Sequence, residues 1–476
     1  MSSLKYLFVI PVLVALLAYF YPSDYDYEND MNERLKQILS GLLRAEKKIA
    51  QPKAKIAIGF GGCQDMFVDG LALLDALKFE APENPEHFMS VDTQQELTKM
   101  MAYFFQHGAA AERYVGNETL FNQLTRAAKT IPGYREAIGG NAPAMAQRLA
   151  QEGAEVLLAA KLSNNARKAL HSSLHILGDV LEKDDIHLIL EYKTGDKWGK
   201  FTSPRANRFI VHSDNSNPLL ETVDDLEKEI LKFDPSVLIV GGLQMMDNFP
   251  FQEGQMESRL GKLRSLLATL PRNINTHFEM ASFSDPSLLQ KIISTVVEYS
   301  NSLGMNEQEL PNLVSILQYG NVSLLSDAHP RVASVLDQMR QVYKLLKNTK
   351  EVDGKRKLTR LHVHTLAYQA ILTTKGSPWK NTMSATAKAS LTAHRHVCGS
   401  NWIHTQKSKL LLDDSFSSSI SASSTRIPVH EKRPVSCWDE DDYQICVAPV
   451  LVCTQVKQTA GGGDNISSAG LLVQVN

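Results

Sequence analysis

Three consecutive glycines near the C-terminus, Gly461, Gly462 and Gly463, are followed directly by Asp464. Glycine allows a tight turn, and a helix that begins beside it offers free N–H groups and the positive end of its dipole, which would stabilise a transferring phosphoryl group. Asp464 then stands where a general base could meet an incoming hydroxyl. The alternative is a glycine-rich turn whose aspartate caps the helix. No lysine follows the glycines, which excludes a Walker loop.

The elements around this segment follow the order strand, loop, glycines, helix, and the same alternation recurs upstream. Strands are predicted at residues 55–60, 155–160, 236–241 and 445–452, and helices at residues 31–48, 143–151 and 465–472. Strands that alternate with helices indicate an α/β fold with a mostly parallel sheet. Two further strand-like runs, 187–192 and 207–212, carry polar groups and are assigned to a smaller lid domain. The serine-rich stretch 415–425 is predicted to be a surface loop.

Several short segments match one known family in the same order along the chain. They are TAGGGD at 459–464, APVLVC at 448–453, GAAAER at 108–113, GGNA at 139–142, HLILEY at 187–192, RANRF at 205–209, HFE at 277–279, NEQE at 306–309 and LTRLHVHTL at 358–366. Together they resemble the ADP-dependent glucokinases, a branch of the ribokinase-like fold, over roughly residues 50–476. Collinear matches of this number are far more specific than any one of them.

The resemblance implies a single sugar kinase domain over residues 51–476. Its fold would be ribokinase-like α/β, with a mostly parallel central sheet flanked by helices. A smaller, discontinuous lid domain, woven from segments roughly within 64–135 and 180–215, would close over the sugar. Residues 1–22 would then be a signal peptide or signal anchor, and residues 23–50 a polar linker helix.

The sugar site implied by the matching motifs combines carboxylates, an amide and a histidine. Its residues are Asp65, Glu112, Gly140, Asn141 and His187. Such groups suit a substrate with several hydroxyls, each of which must find a partner in a closed pocket. Each residue also has a structural alternative: Asp65 and Asn141 could cap helices, Glu112 could lie solvated on a helix, and His187 could be a bonded core histidine.

One position departs from the family pattern. The family usually reads Asn-Ala-Cys-Val-Asp or similar before the first aspartate, whereas this chain reads Gly61, Gly62, Cys63, Gln64 and Asp65. An asparagine that helps to hold the sugar is therefore missing, which leaves the affinity for the sugar, or its identity, open. Water could fill the space, or the pocket could prefer another sugar.

The metal and phosphate groups are also carried over from the matching motifs. Glu279, Glu309 and Asp464 are the predicted Mg²⁺ site, since magnesium prefers oxygen ligands and commonly keeps waters. The alternative for Glu309 is an exposed helix start. His277 and Asn306 are assigned supporting roles around the carboxylates.

The resemblance supplies two further nucleotide-side assignments. Arg205 is chosen for the transferring phosphoryl group, with Arg208 as a structural ion pair. His364, with Tyr368 nearby, is placed on the adenine side, and the alternative is an ordinary buried helix.

The activity that the resemblance implies is phosphoryl transfer from ADP to the 6-hydroxyl of glucose, giving glucose 6-phosphate and AMP. Asp464 would be the base, while Gly461, Gly462, Gly463, Arg205 and Mg²⁺ would stabilise the moving charge. The preference for ADP over ATP comes wholly from the resemblance. The alternatives are an ATP-dependent or other ribokinase-like sugar kinase, and a catalytically weak, membrane-anchored protein that binds glucose or nucleotide.

The N-terminal leader decides the compartment. Lys5 precedes an apolar stretch at residues 6–20, which is long for a signal-peptide core and short for a spanning helix, and no clear cleavage site follows. We therefore favour an uncleaved signal anchor over a cleaved peptide. Either would carry the catalytic domain into the endoplasmic reticulum or the secretory pathway, in agreement with the leaders of animal members of the family.

Composition and cysteine content complete the expectations. The 43% hydrophobic content supports a large core, and a net charge of −2 argues against a polyanion-binding surface, so nucleic acid is not an expected partner. We expect a monomer that meets the membrane only through its leader. Five cysteines are too few for a disulfide scaffold. The resemblance suggests one bond, Cys398 to Cys453, and the alternative is five reduced thiols.

Overall fold

The computed structural model describes residues 24–46, 54–325, 327 and 329–475. Two larger sheets are built from strands joined mostly by helices. The strands are β1 (Lys55–Gly59), β2 (Cys63–Asp69), β3 (Ala111–Tyr114), β4 (Arg135–Gly139), β5 (Glu155–Ala159), β6 (Leu162–Ser163), β7 (His175–Leu177), β8 (Val180–Leu181), β9 (Ile186–Tyr192), β10 (Lys197–Trp198), β11 (Phe201–Thr202), β12 (Asn207–His212), β13 (Val237–Val240), β14 (Asn275–Glu279), β15 (Ser302–Asn306), β16 (Arg360–His364), β17 (Tyr368–Thr374), β18 (Ser408–Lys409), β19 (Ser415–Ser417), β20 (Arg426–Pro428), β21 (Ser436–Glu440), β22 (Tyr443–Pro449) and β23 (Val452–Cys453).

The helices flank these sheets. They are α1 (Asp24–Glu46), α2 (Gly70–Ala76), α3 (Gln94–His107), α4 (Glu118–Ala128), α5 (Asn141–Gln151), α6 (Asn164–Ala169), α7 (Val223–Phe233), α8 (Gln255–Thr269), α9 (Pro286–Thr295), α10 (Glu309–Tyr319), α11 (Val332–Leu346), α12 (Thr382–Cys398) and α13 (Gly462–Gln474), with short 3₁₀ turns at Asn217–Leu219, Leu243–Met246, Val297–Tyr299 and Thr405–Lys407.

The large sheet has ten strands in the order β21-β22-β17-β16-β15-β14-β13-β1-β5-β7. The pairs from β16 through β7 are parallel, and the three pairs at the other end are antiparallel. Its central strands are continuous apolar runs, such as β13 with every residue buried, because helices cover both faces. The predicted α/β class with a mostly parallel sheet is confirmed.

The smaller sheet has five strands in the order β3-β12-β9-β2-β4. Its own core is built around Met66, Leu97, Phe104, Leu190 and Phe209. Chain segments enter and leave it directly from the large sheet: residues 60–62 link β1 to β2, and Gly140 links β4 to α5. Polar residues at the ends of these strands are therefore placed at the junction of the two sheets.

Helix α1 is not a polar linker, and that part of the prediction is wrong. Its side chains Leu35, Ile38 and Leu42 are buried in a cluster with residues of α12 and β22. The apolar residues recur at spacings of three and four, which places them on one helix face. The predicted leader lies outside the described residues. Among the residues that the structure does describe, no helix is long and apolar enough to cross a membrane.

The last residues of α1 are also tied to the body by buried charges. The Glu46 carboxylate accepts a hydrogen bond from Arg395 at 2.7 Å and lies 3.1 Å from the Lys388 ammonium. Lys388 lies in turn 2.7 Å from Glu152 at the end of α5. These side chains are only 11–19% exposed, so the contacts join three helices in a poorly solvated region.

Two disulfide bonds cross-link the C-terminal part of the chain. Cys398 at the end of α12 is bonded to Cys453 in β23, as the resemblance suggested. Cys437 and Cys446 are bonded across the antiparallel pair β21-β22, a bond that the sequence interpretation missed. Cys63 is a buried free thiol. The serine-rich stretch 415–425 is not wholly a loop, because its first three residues form β19, which pairs with β20 just after the stretch.

Replacing Glu46 by Gln should destabilise the protein, because Arg395 and Lys388 would keep their charges without a carboxylate between them. We expect a loss of about 3 kcal/mol in the free energy of unfolding, measured by urea denaturation. The control is Glu33→Gln on the same helix, where the side chain is 60% exposed beside Lys36 and the change should stay below about 0.5 kcal/mol. Equal losses in the two variants would show that the buried network does not anchor α1.

Candidate active site

One face of the small sheet carries a row of ionisable side chains. Asp65 of β2 pairs with His187 of β9, and His187 pairs with His212 of β12. Paired residues on neighbouring strands project from the same face, so the three side chains stand side by side. Glu112 of β3 belongs to the same face, because it lies two residues before Tyr114, the partner of His212. Neither Asp65 nor Glu112 is on a helix, so the capping and solvated-helix alternatives for them are wrong.

His187 is clamped between two carboxylates. Its Nδ1 lies 3.0 Å from Glu112 Oε1, and its Nε2 lies 3.0 Å from Asp214 Oδ1. Burial opposes a charge on the imidazole, but the interactions with Cys63 and Asp214 outweigh burial and raise the pKa of His187 well above its usual value. Burial likewise opposes ionisation of Asp214, and the two histidines, His187 and His212, overcome it, so the pKa of Asp214 lies far below its ordinary range. The arrangement is a buried, ionised carboxylate–imidazolium–carboxylate chain.

Asp214 also connects this chain to the backbone between the sheets. Its Oδ2 accepts a hydrogen bond from Asn217 Nδ2 at 2.8 Å. The same amide group bonds Gly62 on both sides, with the Asn217 oxygen accepting from the Gly62 N–H and its nitrogen donating to the Gly62 carbonyl, each at 3.0 Å. The position of the β1-β2 link is therefore coupled to the orientation of His187.

Asp65 completes the sugar-side group. Its Oδ1 accepts from the Cys63 thiol at 3.3 Å, and burial raises its pKa to about 6 although the nearby His187 charge opposes that shift. Gly61, the position of the sequence departure, has φ +76°, and a Cβ there would lie 2.7 Å from the sulfur of Met245. A side chain at position 61 would be strained at this φ and would require Met245 to move. The departure is thus built into the packing around the site.

The glycine run forms the start of α13 as predicted. The alternative, in which Asp464 caps this helix, is wrong. Gly461, with φ +66°, is the N-cap, and no side chain caps the helix. Asp464 lies in the first turn instead of at the cap. A Cβ on Gly463 would stand 2.8 Å from the His364 ring, so this position requires glycine. The helix start therefore offers backbone N–H groups beside Asp464, which is the geometry of an anion site.

Asp464 meets Asn141 where the helices α13 and α5 pack together on the large sheet. Asn141 Nδ2 donates to Asp464 Oδ1 at 2.8 Å, and Gln244 Nε2 donates to Asn141 Oδ1 at 2.8 Å. Burial raises the pKa of Asp464 to about 7, and the Glu279 carboxylate adds to the rise while the Asn141 amide opposes it. A carboxyl group with that pKa can take up a proton near neutral pH. Asn141 is the first residue of α5, where Gly140 holds the cap position, so the capping role for Asn141 is wrong.

Glu279, at the end of β14, is the most heavily bonded carboxylate of the site. It accepts from His277 at 3.0 Å, His364 at 3.2 Å and Ser467 at 2.5 Å. Burial opposes its charge, but the bonds from His277 and His364 prevail and hold its pKa far below the usual range. His277 is oriented from behind, because its Nδ1 lies 2.8 Å from the Ser302 hydroxyl. His277 therefore supports Glu279, in keeping with its predicted role.

Glu309 begins α10 but is not exposed, so the alternative of a solvated helix start is wrong. It is 7% exposed, and both carboxylate oxygens accept from Asn306, from the backbone N–H and the side-chain amide at 2.8 Å each. Burial raises its pKa to about 8, and the Glu279 charge contributes to the rise. Buried carboxylate oxygens that influence each other's ionisation are ligands suited to a divalent cation such as Mg²⁺. The donor set therefore fits Mg²⁺ held by Glu279 and Glu309, partly through water.

Two tighter groups of metal-binding side chain types occur among the described residues. They are Cys63, Asp65 and His187, and His187, His212 and Asp214. In the first group the Cys63 thiol bonds Asp65, and in the second His187 and His212 lie 3.0 and 3.2 Å from Asp214. We interpret both groups as the hydrogen-bond network of the sugar side.

The two predicted arginines differ in their contacts. Arg205 donates to the Gly108 carbonyl at 2.9 Å and forms an ion pair with Glu307 at 3.2 Å. For Arg208, no ion pair is found among the residues that the structure describes, and its Nε is buried without a partner there. Its charge lowers the pKa of both Asp65 and Asp464. The assignment of Arg208 as the structural ion pair is therefore wrong, and its guanidinium lies within electrostatic range of both carboxylates.

His364 and Tyr368 lie in strands β16 and β17, so the helix alternative for them is wrong. His364 is buried against Glu279 and Gly463, beside the helix start. Its assignment to the adenine side stays a prediction.

Several residues of the site were missed by the sequence interpretation: His212, Asp214, Gln244, Ser302 and Ser467. Ser467 had a usable signal, because it lies three residues after Asp464 and shares its helix face. Asp214 and Gln244 follow strands in irregular segments, where no periodicity marks them.

Comparison with known proteins gives a consistent result. Residues 54–473 match the family described as ADP-specific phosphofructokinase/glucokinase conserved region. A Bos taurus protein named ADP-dependent glucokinase is 30% identical over 425 residues, covering 88% of this chain and 84% of the relative. A Caenorhabditis elegans protein named "Probable ADP-dependent glucokinase" is 28% identical over 482 residues, covering 96% and 94%. A solved structure titled ADP-dependent kinase complex with fructose-6-phosphate and ADPbetaS shares the fold, with a TM-score of 0.66 at 18% identity and coverage of 93% and 97%.

Replacing Asp214 by Asn should destabilise the fold by about 3 kcal/mol, because the charge on His187 would lose one of its two carboxylates. The ionised Asp214 stabilises the folded protein at pH values above the pKa of an aspartate in the unfolded chain. The charged His187 stabilises it below the pKa of an unfolded histidine, and this contribution is lost as the pH rises through the pKa of His187 in the folded protein. The difference between wild type and variant should thus be greatest between about pH 4 and 6.5 in denaturant titrations. The pKa of His187, followed by NMR, should fall.

The control is Asp179→Asn, because the Asp179 side chain is 89% exposed. This change should alter neither the free energy of unfolding nor the pKa of His187. An unchanged His187 pKa in Asp214→Asn would contradict the ion-pair assignment.

Proposed function

The chain belongs to the ADP-specific phosphofructokinase/glucokinase family, and from this membership and the site geometry we propose that it phosphorylates D-glucose with ADP, giving glucose 6-phosphate and AMP. The observation that carries the proposal is the hydrogen bond between Asn141 and Asp464. It places a buried carboxylate of raised pKa at an uncapped, glycine-rich helix start, directly beside the polar face of the small sheet. A proton acceptor, an anion site and a group of hydroxyl-binding side chains thus meet at one point.

The reaction follows from these positions. The 6-hydroxyl oxygen of glucose attacks the β-phosphorus of ADP, the bond from that phosphorus to the bridging oxygen breaks, and AMP leaves with the bridging oxygen. Asp464 takes the hydroxyl proton as the new bond forms. The N–H groups at residues 461–463 face the negative charge on the transferring group and stabilise it. Closure of the small sheet over the sugar excludes water and limits hydrolysis.

We propose Mg²⁺ as the accompanying cation, held by Glu279 and Glu309 near Asp464. When bound, it would neutralise charge on the phosphate oxygens. The support lies in the protein: Glu309 is a buried carboxylate whose pKa is raised to about 8 next to the ionised Glu279.

A neutral acceptor sugar fits better than a sugar phosphate. The polar face around His187 carries Asp65, Glu112 and Asp214, and the one arginine next to Glu112, Arg113, is turned away to His87 and the Phe88 carbonyl. A phosphate group in this region would meet three carboxylates, one imidazolium already paired between two of them, and the Arg208 charge, which has the smallest effect on Asp65 of the groups around it. This distribution of charge favours glucose over fructose 6-phosphate.

We further propose that residues 1–22 are a signal anchor, that the catalytic domain lies in the endoplasmic reticulum or the secretory pathway, and that it acts as a monomer. The apolar stretch at 6–20 supports the first two points. The disulfides Cys398–Cys453 and Cys437–Cys446 support an oxidising compartment.

Asp464→Asn should abolish most glucose 6-phosphate formation, because asparagine keeps the size of the side chain but accepts no proton. We expect kcat to fall by about 10²- to 10⁴-fold with Mg²⁺ and ADP, measured by coupled assay. ATP should not replace ADP as donor for the wild-type protein. Asp442→Asn, at a half-exposed side chain near Lys347, is the matched control and should retain full activity.

Activity of the wild type with ATP alone would assign the chain to another branch of sugar kinases. Binding of ADP without turnover in either protein would instead support the alternative of a binding protein.

Arg208→Ala should lower kcat more than Arg205→Ala does. The Arg208 charge acts on both Asp464 and Asp65, whereas the Arg205 guanidinium is engaged by Glu307 and the Gly108 carbonyl. We expect at least a 10-fold difference in kcat under saturating ADP and glucose. Arg205→Ala should have the lower melting temperature of the two, because it leaves the largely buried Glu307 without this partner. A larger kcat loss in Arg205→Ala would restore the assignment made from sequence.

A further inference from the structure

Gln244 lies in the 3₁₀ turn Leu243–Met246, which follows β13 at the junction of the two sheets. Its side chain is buried, with 6% of the residue exposed. Its Nε2 donates to Asn141 Oδ1, and Asn141 Nδ2 donates to Asp464 Oδ1, at 2.8 Å in each case. Gln244 is therefore the far end of a three-residue chain of hydrogen bonds that begins at the proposed base.

The direction of each hydrogen bond in this chain follows from the chemistry of Asp464. An ionised carboxylate only accepts hydrogen bonds, so Asp464 requires the NH₂ group of Asn141 to face it. The Asn141 oxygen must then face Gln244, and a donor on Gln244 must face that oxygen. The Gln244 oxygen, Oε1, is consequently turned away from the chain.

That oxygen is the unusual feature. Gln244 Oε1 is buried and has no hydrogen-bond partner within the part of the chain that the structure describes. Buried amide oxygens are nearly always bonded, because losing water without gaining a partner is unfavourable. An open acceptor whose amide orientation is imposed by Asp464 therefore points to a missing donor.

The surroundings of Gln244 indicate what the donor would be. The next residue, Met245, packs against Gly61, and a Cβ on Gly241, just before the turn, would lie 3.3 Å from the Asn141 side chain. The turn thus borders both the β1-β2 link and Asn141, which adjoin the polar face of Asp65 and His187. Position 61 offers no side chain on this border, and Gln244 is the polar residue of the adjoining turn.

We propose that Gln244 contacts the acceptor sugar, with Oε1 accepting a hydrogen bond from a ring hydroxyl other than the 6-hydroxyl. Gln244 also orients Asn141, and through it Asp464, so that recognition of the sugar and placement of the base share one amide. This proposal rests on the proposed function. It makes Gln244 a determinant of which sugar is accepted, since a sugar without that hydroxyl leaves the oxygen unpaired.

The test compares glucose with analogues that each lack one hydroxyl: 1,5-anhydroglucitol and the 2-, 3- and 4-deoxy sugars. For the wild type, removal of the contacted hydroxyl should lower kcat/KM by about 10- to 100-fold. In Gln244→Met, glucose should lose a similar factor, and that one analogue should then react as well as glucose. Gln244→Glu keeps an acceptor toward the sugar but loses the donor to Asn141, so it should keep the discrimination between sugars while lowering kcat for all of them. Gln290→Met, at an exposed glutamine bonded to the Gly320 carbonyl, should match the wild type.

A purely positioning role gives a different pattern. If Gln244→Met lowers kcat/KM for every sugar by one common factor and preserves the wild-type ranking, Gln244 acts only through Asn141 and the proposal is overturned. A melting temperature within a few degrees of the wild type shows that a variant is folded, so that its kinetics can be interpreted. If Gln244→Met is unstable, the sugar discrimination of Gln244→Glu is measured instead. A wild type that is inactive on glucose would overturn the proposed function and this proposal together.

Discussion

The hydrogen bond from Asn141 to Asp464 joins segments 323 residues apart and is the contact on which the site depends. Asn141 is placed by the return of the chain from the small sheet at Gly140, and Asp464 by the start of the last helix. Either element alone is an ordinary helix beginning. Their meeting gives a carboxylate that is buried, oriented by an amide donor and adjacent to free N–H groups. The two helices must therefore pack correctly on the large sheet before the site exists.

Burial acts differently on the carboxylates of the site because their partners differ. Glu279 and Asp214 each contact two histidines, which compensate for lost water and keep both groups ionised. Asp464 and Glu309 are bonded mainly by neutral amides and feel the charge of Glu279, so their pKa values rise to about 7 and about 8. Carboxylates that stay ionised thus lie beside carboxylates that can exchange a proton or bind a cation. This combination is suited to acid–base catalysis and to metal binding.

The contacts between the sheets explain how sugar and phosphate sites can be coupled. Glu307 and Gln308, just before Glu309, bond Arg205 and the Ala110 N–H of the small sheet. On the opposite side, Asn217 clamps Gly62 and bonds Asp214, the partner of His187. A shift of the small sheet would therefore move groups next to Glu309 and His187 together. The site is held by these contacts from both sides of the junction.

Sequence alone determined the α/β class, the glycine-rich helix start and most motif residues, because helical periodicity, buried strands and contiguous motifs are local properties. It also indicated Cys398–Cys453, through resemblance. It could not determine that α1 packs on α12, that Arg205 and not Arg208 is ion-paired, or that Asp214 and Gln244 belong to the site. Those facts depend on which distant segments come into contact and on which polar atoms are buried at the contact. Only the tertiary structure decides these two things, because the burial of a group and the geometry of its partners set its charge and its hydrogen bonds, whatever its residue type.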